Sequence, residues 1–326
     1  MNMGNVSLHG DFNNATNISC SVHIVPEMKM VSKLILFSVF SVFIFGAIIL
    51  NILLIVQINR RKKHKEFTRF FLTSMAAADL FVGMTLMPFS IANELTEMKQ
   101  FLGPRTCSLM NSADVMLTSA SIIHLSILTF ERYIALCRPF SYMRICCRRN
   151  MIFLFLMCWL VVATISFGFI MPGFHHTGIE KHILTCNVHV LDRCRLIVGI
   201  YYELIISALT FFIPGFLILG LNIRVMSHVR KQSRKRKYVL RSEYNHNQRN
   251  GSETQSMRIA RTIAILTGCF FVCWLPFFIV NKIIVFTNYS FPYIAEEVVL
   301  WLGYANSSMN PLLYLLLQSK SCIGKR

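Results

Sequence analysis

The chain has 326 residues, 54% of them hydrophobic and only 15% charged, with 27 Phe and a positive mean hydropathy. That is too apolar for an ordinary soluble domain, and it excludes a disordered, collagen-like or coiled-coil chain. The net charge of +18 invites a nucleic-acid reading, but the charges are sorted along the chain by membrane side, so no nucleic acid is expected as a partner.

Residues 1–32 are polar and read as a leader. No cleavable signal peptide is expected there, since the first apolar run is long enough to remain as an anchor. Asn5-Val-Ser, Asn14-Ala-Thr and Asn17-Ile-Ser are glycosylation sequons within it.

Seven stretches follow that are long enough to cross a hydrocarbon core as helices, at about 20 residues each. They span approximately 33–58, 67–92, 104–138, 150–172, 198–226, 257–285 and 294–317. Lipid offers backbone groups no other partners, so the spans must be helical. The expected fold is an all-α membrane protein, a seven-transmembrane helix bundle over 33–317, with a cytoplasmic loop at 231–256 and a short tail at 318–326. The loop carries Arg-Lys-Arg-Lys at 234–237 and reads as mobile and solvated.

An odd number of spans puts the termini on opposite sides. With the N-terminus outside, 25 of the 33 basic residues fall on the cytoplasmic side, around 60–69, 132–149, 224–261 and the C-terminus. Ten of the 15 carboxylates, among them Glu94, Asp114, Glu203, Glu296 and Glu297, fall in the outer half, where they would attract cations. A multi-pass plasma-membrane protein follows, with the N-terminus outside and the C-terminus inside.

Four of the 11 cysteines, Cys20, Cys107, Cys186 and Cys194, lie on the oxidising side, which leaves three possible pairings. Cys137, Cys158, Cys269 and Cys273 read as small packing residues, and no zinc spacing surrounds the last two.

Ionisable residues inside the spans are costly and therefore functional candidates. Asp79 sits mid-span in the second helix, Asp114 sits in the third, and Glu131-Arg132-Tyr133 closes the third on the cytoplasmic side. Residues at i, i+4 and i+7 share a helix face, so Glu203, Ser207 and Thr210 look one way, as do Glu297, Trp301 and Tyr304. If Tyr304 lies beside Asp114, then Glu297 lies roughly 10 Å nearer the solvent, one carboxylate deep and one at the mouth.

With these residues go Asn51, Leu80, Met87-Pro88-Phe89, Cys107, Trp159, Pro214, Cys273-Trp274-Leu275-Pro276 and Asn310-Pro311-Leu312-Leu313-Tyr314. In this order and spacing the chain resembles a rhodopsin-like (class A) G-protein-coupled receptor over about 33–317. Asp114 lies seven residues after Cys107 and eighteen before Arg132, where aminergic receptors carry the carboxylate that binds a ligand ammonium. With Trp274-Leu-Pro-Phe-Phe and Trp301-Leu-Gly-Tyr304, the chain most resembles the trace amine-associated receptors; serotonin-like and adrenergic-like receptors are the alternative.

The resemblance implies no enzyme but a receptor for a cationic amine, whether trace amine, diamine or polyamine. It implies activation of a heterotrimeric G protein, most simply the stimulatory type that raises cAMP, with arrestin and the lipid bilayer as further partners. The ligand residues implied are Asp114, Thr118, Ser207, Thr210, Trp274, Phe277, Phe278, Trp301, Tyr304, Glu297 and Glu203. Asp79, Ser121, Asn306, Ser307 and Asn310 resemble a sodium-binding cluster, and no other metal or cofactor is expected. Ile122, Pro214 and Phe270 are the implied repacking core, with Glu131, Arg132, Tyr133 and Tyr314 serving activation and G-protein contact. The resemblance also implies a Cys107–Cys186 disulfide, which leaves Cys20 and Cys194 to pair.

The chain departs from the pattern in three places. Gln318, Lys320 and Ser321 replace a Tyr-x-Trp-Phe segment, Ser256 stands where a Glu commonly locks the arginine of the third helix, and Asn222 replaces a Tyr. A retinal-based light sensor is excluded by Tyr304 at the Schiff-base position, with no lysine between Lys282 and Lys320. A transporter would show internal repeats, and none occurs.

Overall fold

The computed structural model of the chain describes residues 30–60, 65–95, 98–179, 194, 196–240, 251–287 and 292–323. The sequons and residues 1–29 of the leader lie outside the described residues, and its last three residues belong to the first helix. Among those described there is no strand, and seven long helices carry the chain.

Helix α1 is Met30–Arg60. Helix α2 is built from Glu66–Phe81, a π-helical turn at Val82–Leu86 and Met87–Leu95. Helix α3 is Met98–Cys137, broken near its start at Gly103 (φ 75). Glycine alone takes that left-handed conformation without strain, and Pro104 suits the first turn of the straight run that follows, where its missing N–H is not needed. Helix α4 is Arg148–Ile170. Helix α5 is built from Ile200–Ser207, a π-helical turn at Ala208–Phe212 and Ile213–Leu240. Helices α6 and α7 are Gly251–Phe286 and Tyr293–Ile323.

Both π-helical turns end two residues before a proline, Pro88 in α2 and Pro214 in α5. The proline ring displaces the carbonyl four residues back and offers it no N–H, and the widened turn absorbs the mismatch. In α5 this widening falls beside Thr210 and Phe211, within the stretch that faces the bundle interior.

Helices α1, α2, α3, α5, α6 and α7 pack as successive neighbours, and α7 returns to α1. Helix α3 touches α2, α4 and α5 and so runs through the middle. Aliphatic and aromatic side chains point outward on the perimeter, including Val42, Phe45, Leu160, Phe216 and Val272, each more than 60% exposed. Such a sleeve would promote aggregation in water and is stable against lipid.

Six of the described helices are long and apolar enough to cross a membrane. Helix α7 falls short of that measure. Its middle carries Asn306, Ser307, Ser308 and Asn310, all buried against the other helices, so its polar side chains are spent inward while it packs on α1 and α6.

Three helix ends extend beyond the sequence reading on the side it assigns to the cytoplasm. The loop expected at 231–256 is helical at both ends, because α5 continues to Leu240 and α6 begins at Gly251. Lysine and arginine are good helix formers, and no proline interrupts 215–275, so a polar sequence extends the helices into water without needing an apolar stripe. Helix α7 likewise runs on to Ile323 rather than stopping at 317.

Candidate functional site

Helices α2, α3, α5, α6 and α7, with Cys194 and residues 196–198, line a cavity of about 230 Å³. Deep within it stands Asp114 of α3. The Tyr304 hydroxyl of α7 donates to Asp114 Oδ2 at 3.1 Å, whereas Oδ1 is buried and accepts no hydrogen bond from the protein. A carboxylate held away from water by one neutral donor is left short of counter-charge, which a bound cation would supply. One turn on, Thr118 donates its hydroxyl to the Asp114 backbone carbonyl at 2.7 Å, so towards a ligand it can only accept.

Trp274, Phe277 and Phe278 of α6 line the cavity near Asp114. Phe277 meets Trp274 and Phe278 edge-on, and Phe278 stacks on Phe211 of α5 at 4.3 Å between centroids. Ring faces of this kind hold a cation as well as apolar groups. Gly303 lets the Trp274 indole lie against α7, since a Cβ there would stand 2.9 Å from the ring.

Towards the mouth, Glu94, Glu296 and Glu297 line the same cavity. Leu196, Ile197 and Val198 cover part of it from the segment that leads into α5. That segment is fixed at Cys194, and here the expected pairing is corrected: Cys107 is bonded to Cys194, with the α-carbons 5.1 Å apart. This bond excludes both Cys107–Cys186 and Cys20–Cys194; Cys20 and Cys186 lie outside the described residues. Asn93 of α2 explains the choice, because its side chain accepts from the Cys194 N–H at 2.8 Å and donates to the Cys194 carbonyl at 3.4 Å. Spacing alone could not choose between two cysteines eight residues apart. Asn93, Asn111 and Asn281 are wall residues the sequence reading missed.

Beyond α4, the loop back towards α5 is anchored by His175. Its carbonyl accepts from the Gly199 N–H at 2.7 Å and its buried ring lies 3.8 Å from that of His176. Burial and the neighbouring His176 push the His175 imidazole down to about 4.

The α5 wall differs from expectation. Glu203 and Thr210 line the cavity, but Ser207 does not. Lys282 of α6 donates to Ser207 Oγ at 2.7 Å and lies 3.4 Å from Glu203 Oε1. The sequence reading noted Lys282 only in excluding a retinal site. Thr210 donates to the Ile206 carbonyl at 2.8 Å, as Thr118 does on α3. Trp301 is also displaced from its expected role: it stacks on Phe40 of α1 at 3.6 Å and is absent from the lining, whereas Glu297 and Tyr304 are present. At about 100° per residue Trp301 sits some 60° round the helix from Tyr304, enough to turn it to α1.

Below the cavity, Ile122, Phe211, Ile218, Phe270 and Trp274 form one buried apolar cluster, and Pro214 is buried beside it. Asp79 lies in the middle of the bundle, where Ser307 donates to its Oδ1 at 2.9 Å. Asn51 donates to the carbonyls of Ala47 and Ser307, which ties α1 to α7 at this level. Asp79 Oδ2, Ser121 Oγ, Asn306 Oδ1 and the Asn310 amide are buried here without protein partners in hydrogen-bond geometry.

At the far end Arg132 Nε lies 3.3 Å from Glu131 Oε2, and the Tyr142 hydroxyl donates to Glu131 Oε1 at 2.8 Å. The ammonium of Lys65 sits 3.3 Å over the Tyr142 ring. Asn222 donates to Thr267, joining α5 to α6. Tyr133 packs beside Val225, Val229 and Ala260, and Tyr314 packs against the cluster around Phe71 and Leu72. The Ser256 side chain lies outside the described residues.

Residues 50–314 match the family described as 7 transmembrane receptor (rhodopsin family). The chain belongs to that family. It is 31% identical to trace amine-associated receptor 1 of Homo sapiens, over 92% of this chain and 88% of that one. It is 33% identical to 5-hydroxytryptamine receptor 4 of Cavia porcellus, over 88% and 77%. With octopamine receptor beta-1R of Drosophila melanogaster the identity is 31%, over 83% and 56%. These relatives fall in the aminergic group of class A receptors, which is the resemblance the motifs carry, and they are receptors rather than enzymes.

Proposed function

We propose that the protein is a plasma-membrane receptor for a cationic amine, with its N-terminus outside and its C-terminus in the cytoplasm. The observation that carries this reading is Asp114: one oxygen held by Tyr304, the other buried without a donor, beside Trp274, Phe277 and Phe278. An ammonium placed there would complete the carboxylate's hydrogen bonding and meet the ring faces. The names of the aminergic relatives support the same ligand class.

Binding shifts an equilibrium only by the ligand's differential affinity for the two states. Contacts to Asp114, Trp274 and Tyr304 would favour one packing of Ile122, Pro214 and Phe270 over another. The released Arg132 would then meet the heterotrimeric G protein, the stimulatory type in this proposal, with arrestin taking the same face. The polar core around Asp79 offers only oxygen and amide groups, which suits a hard monovalent cation such as sodium.

A ligand with separated amines is favoured by a second observation, that Glu94, Glu296 and Glu297 line the same cavity above Asp114. Amines from monoamines through diamines to polyamines, applied to transfected cells with cAMP as readout, test the reading. A graded response to at least one class is expected. Silence across the whole series in cells with verified surface receptor and stimulatory G protein would overturn it.

A further inference from the structure

Glu203 is buried and lines the same cavity as Asp114, on the α5 wall. A carboxylate so placed would ordinarily be a second site for ligand ammonium. In this chain it is already matched: Lys282 reaches in from α6, 3.4 Å from Glu203 Oε1 and donating to buried Ser207 Oγ at 2.7 Å. The same ammonium lies 4.7 Å from the centre of the Phe212 ring and 5.9 Å from that of Phe278. Carboxylate, hydroxyl and two aromatic faces are the parts of an ammonium-binding site. Their occupant is a residue of the chain.

We propose that Lys282 is a resident cation filling a second ammonium subsite on the α5 wall, which disfavours ligands carrying a second ammonium towards α5. Removing Lys282 would open that subsite to an alkylammonium. The first part rests on the amine-receptor reading; the second is independent of it. The consequence is an asymmetric cavity. The α3 side presents Asp114 Oδ1 without a donor, whereas the α5 side presents a neutralised pair, so a long diamine held at Asp114 gains no charge by reaching across to α5.

Melting of purified receptor tests the subsite, with Asp114→Ala in every protein so that the deep carboxylate gives no signal. Lys282→Ala should melt below the parent, since a buried carboxylate loses its cation. n-Propylammonium, which carries the chain removed from the lysine, should raise the melting temperature of Lys282→Ala by several degrees at millimolar concentration. It should move neither the parent nor the Lys282→Ala, Glu203→Gln double variant. An equal shift in all three proteins, or none in Lys282→Ala, overturns the subsite. Lys282→Met with methylammonium repeats the test with the stem volume kept, should the alanine variant not fold.

In cells with Asp114 intact, Lys282→Met should raise diamine potency relative to the matched monoamine by about tenfold, the order expected for one freed and partly buried carboxylate. Glu203→Gln should cancel that gain. An unchanged ratio overturns the discrimination. A receptor that answers no amine removes the discrimination together with the amine reading, and the melting experiment still decides the subsite.

Discussion

Asp114 and Glu297 share one cavity but differ in what surrounds them. Asp114 Oδ1 is buried beside rings, whereas Glu297 lies two helical turns along α7 from Tyr304, towards the mouth. A partly hydrated pair at Glu297 is worth about 1 kcal/mol. Glu297→Gln should therefore weaken a polyamine about fivefold and leave a short monoamine near its original potency. Dose–response curves for both ligands check this; an equal shift for both would reduce Glu297 to a contribution to the entrance field, which salt also screens. That these carboxylates face the bundle interior was legible residue by residue, because an ionisable group inside an apolar span has few other places to go. Lys282 was not legible. Its pairing depends on the rotation of α6 against α5, and a lysine near a helix end reads from sequence as one that snorkels to water.

The segment between α4 and α5 is held at two points, and each makes a prediction. Peptide mapping of the native receptor should recover Cys107 linked to Cys194; recovery of Cys107 with Cys186 would contradict the position of the segment over the cavity. At the other point, burial holds the His175 imidazole down to about 4, against about 6.5 for an unfolded histidine. The unfolded chain then binds the extra proton between these values. The stability owed to neutral His175 is full above pH 6.5 and is lost as pH falls towards 4. Melting temperature should drop between pH 7 and pH 5 in the wild type, and His175→Phe should flatten that slope; an identical slope in both would refute it. At the α6–α7 contact, Gly303→Ala would press a methyl group into Trp274. Overpacking of this kind costs about 1 to 3 kcal/mol, and Trp274→Phe should restore part of the loss in a melting experiment. Helix number and rough limits could be read from the spans, as lipid permits little else. The helical ends of the 231–256 segment could not, because solvated helix has no apolar period to announce it.

Across the molecule, the spending of polar groups sets what moves. The cavity, the apolar cluster under it, the Asp79 core and the Glu131–Arg132–Tyr142 group lie in series down α3. The fold class was readable because the Asp79, Arg132, Trp274 and Asn310-Pro311 motifs each sit in a helix that must cross the membrane. The turning of Trp301 towards Phe40 was not, since Glu297, Trp301 and Tyr304 form a stripe wide enough for its edge to meet α1.

The central claim is that Asp114 receives the ligand's ammonium. Removing one partner of a desolvated ion pair typically costs about 3 to 5 kcal/mol, so Asp114→Ala should lower agonist potency by at least about a hundredfold. The measurement is the cAMP dose–response of Asp114→Ala beside wild type at matched surface expression, with Asp114→Glu as the conservative control. The account predicts loss of response in Asp114→Ala and a weakened response in Asp114→Glu; an Asp114→Ala receptor that answers the same amine at unchanged potency would contradict it.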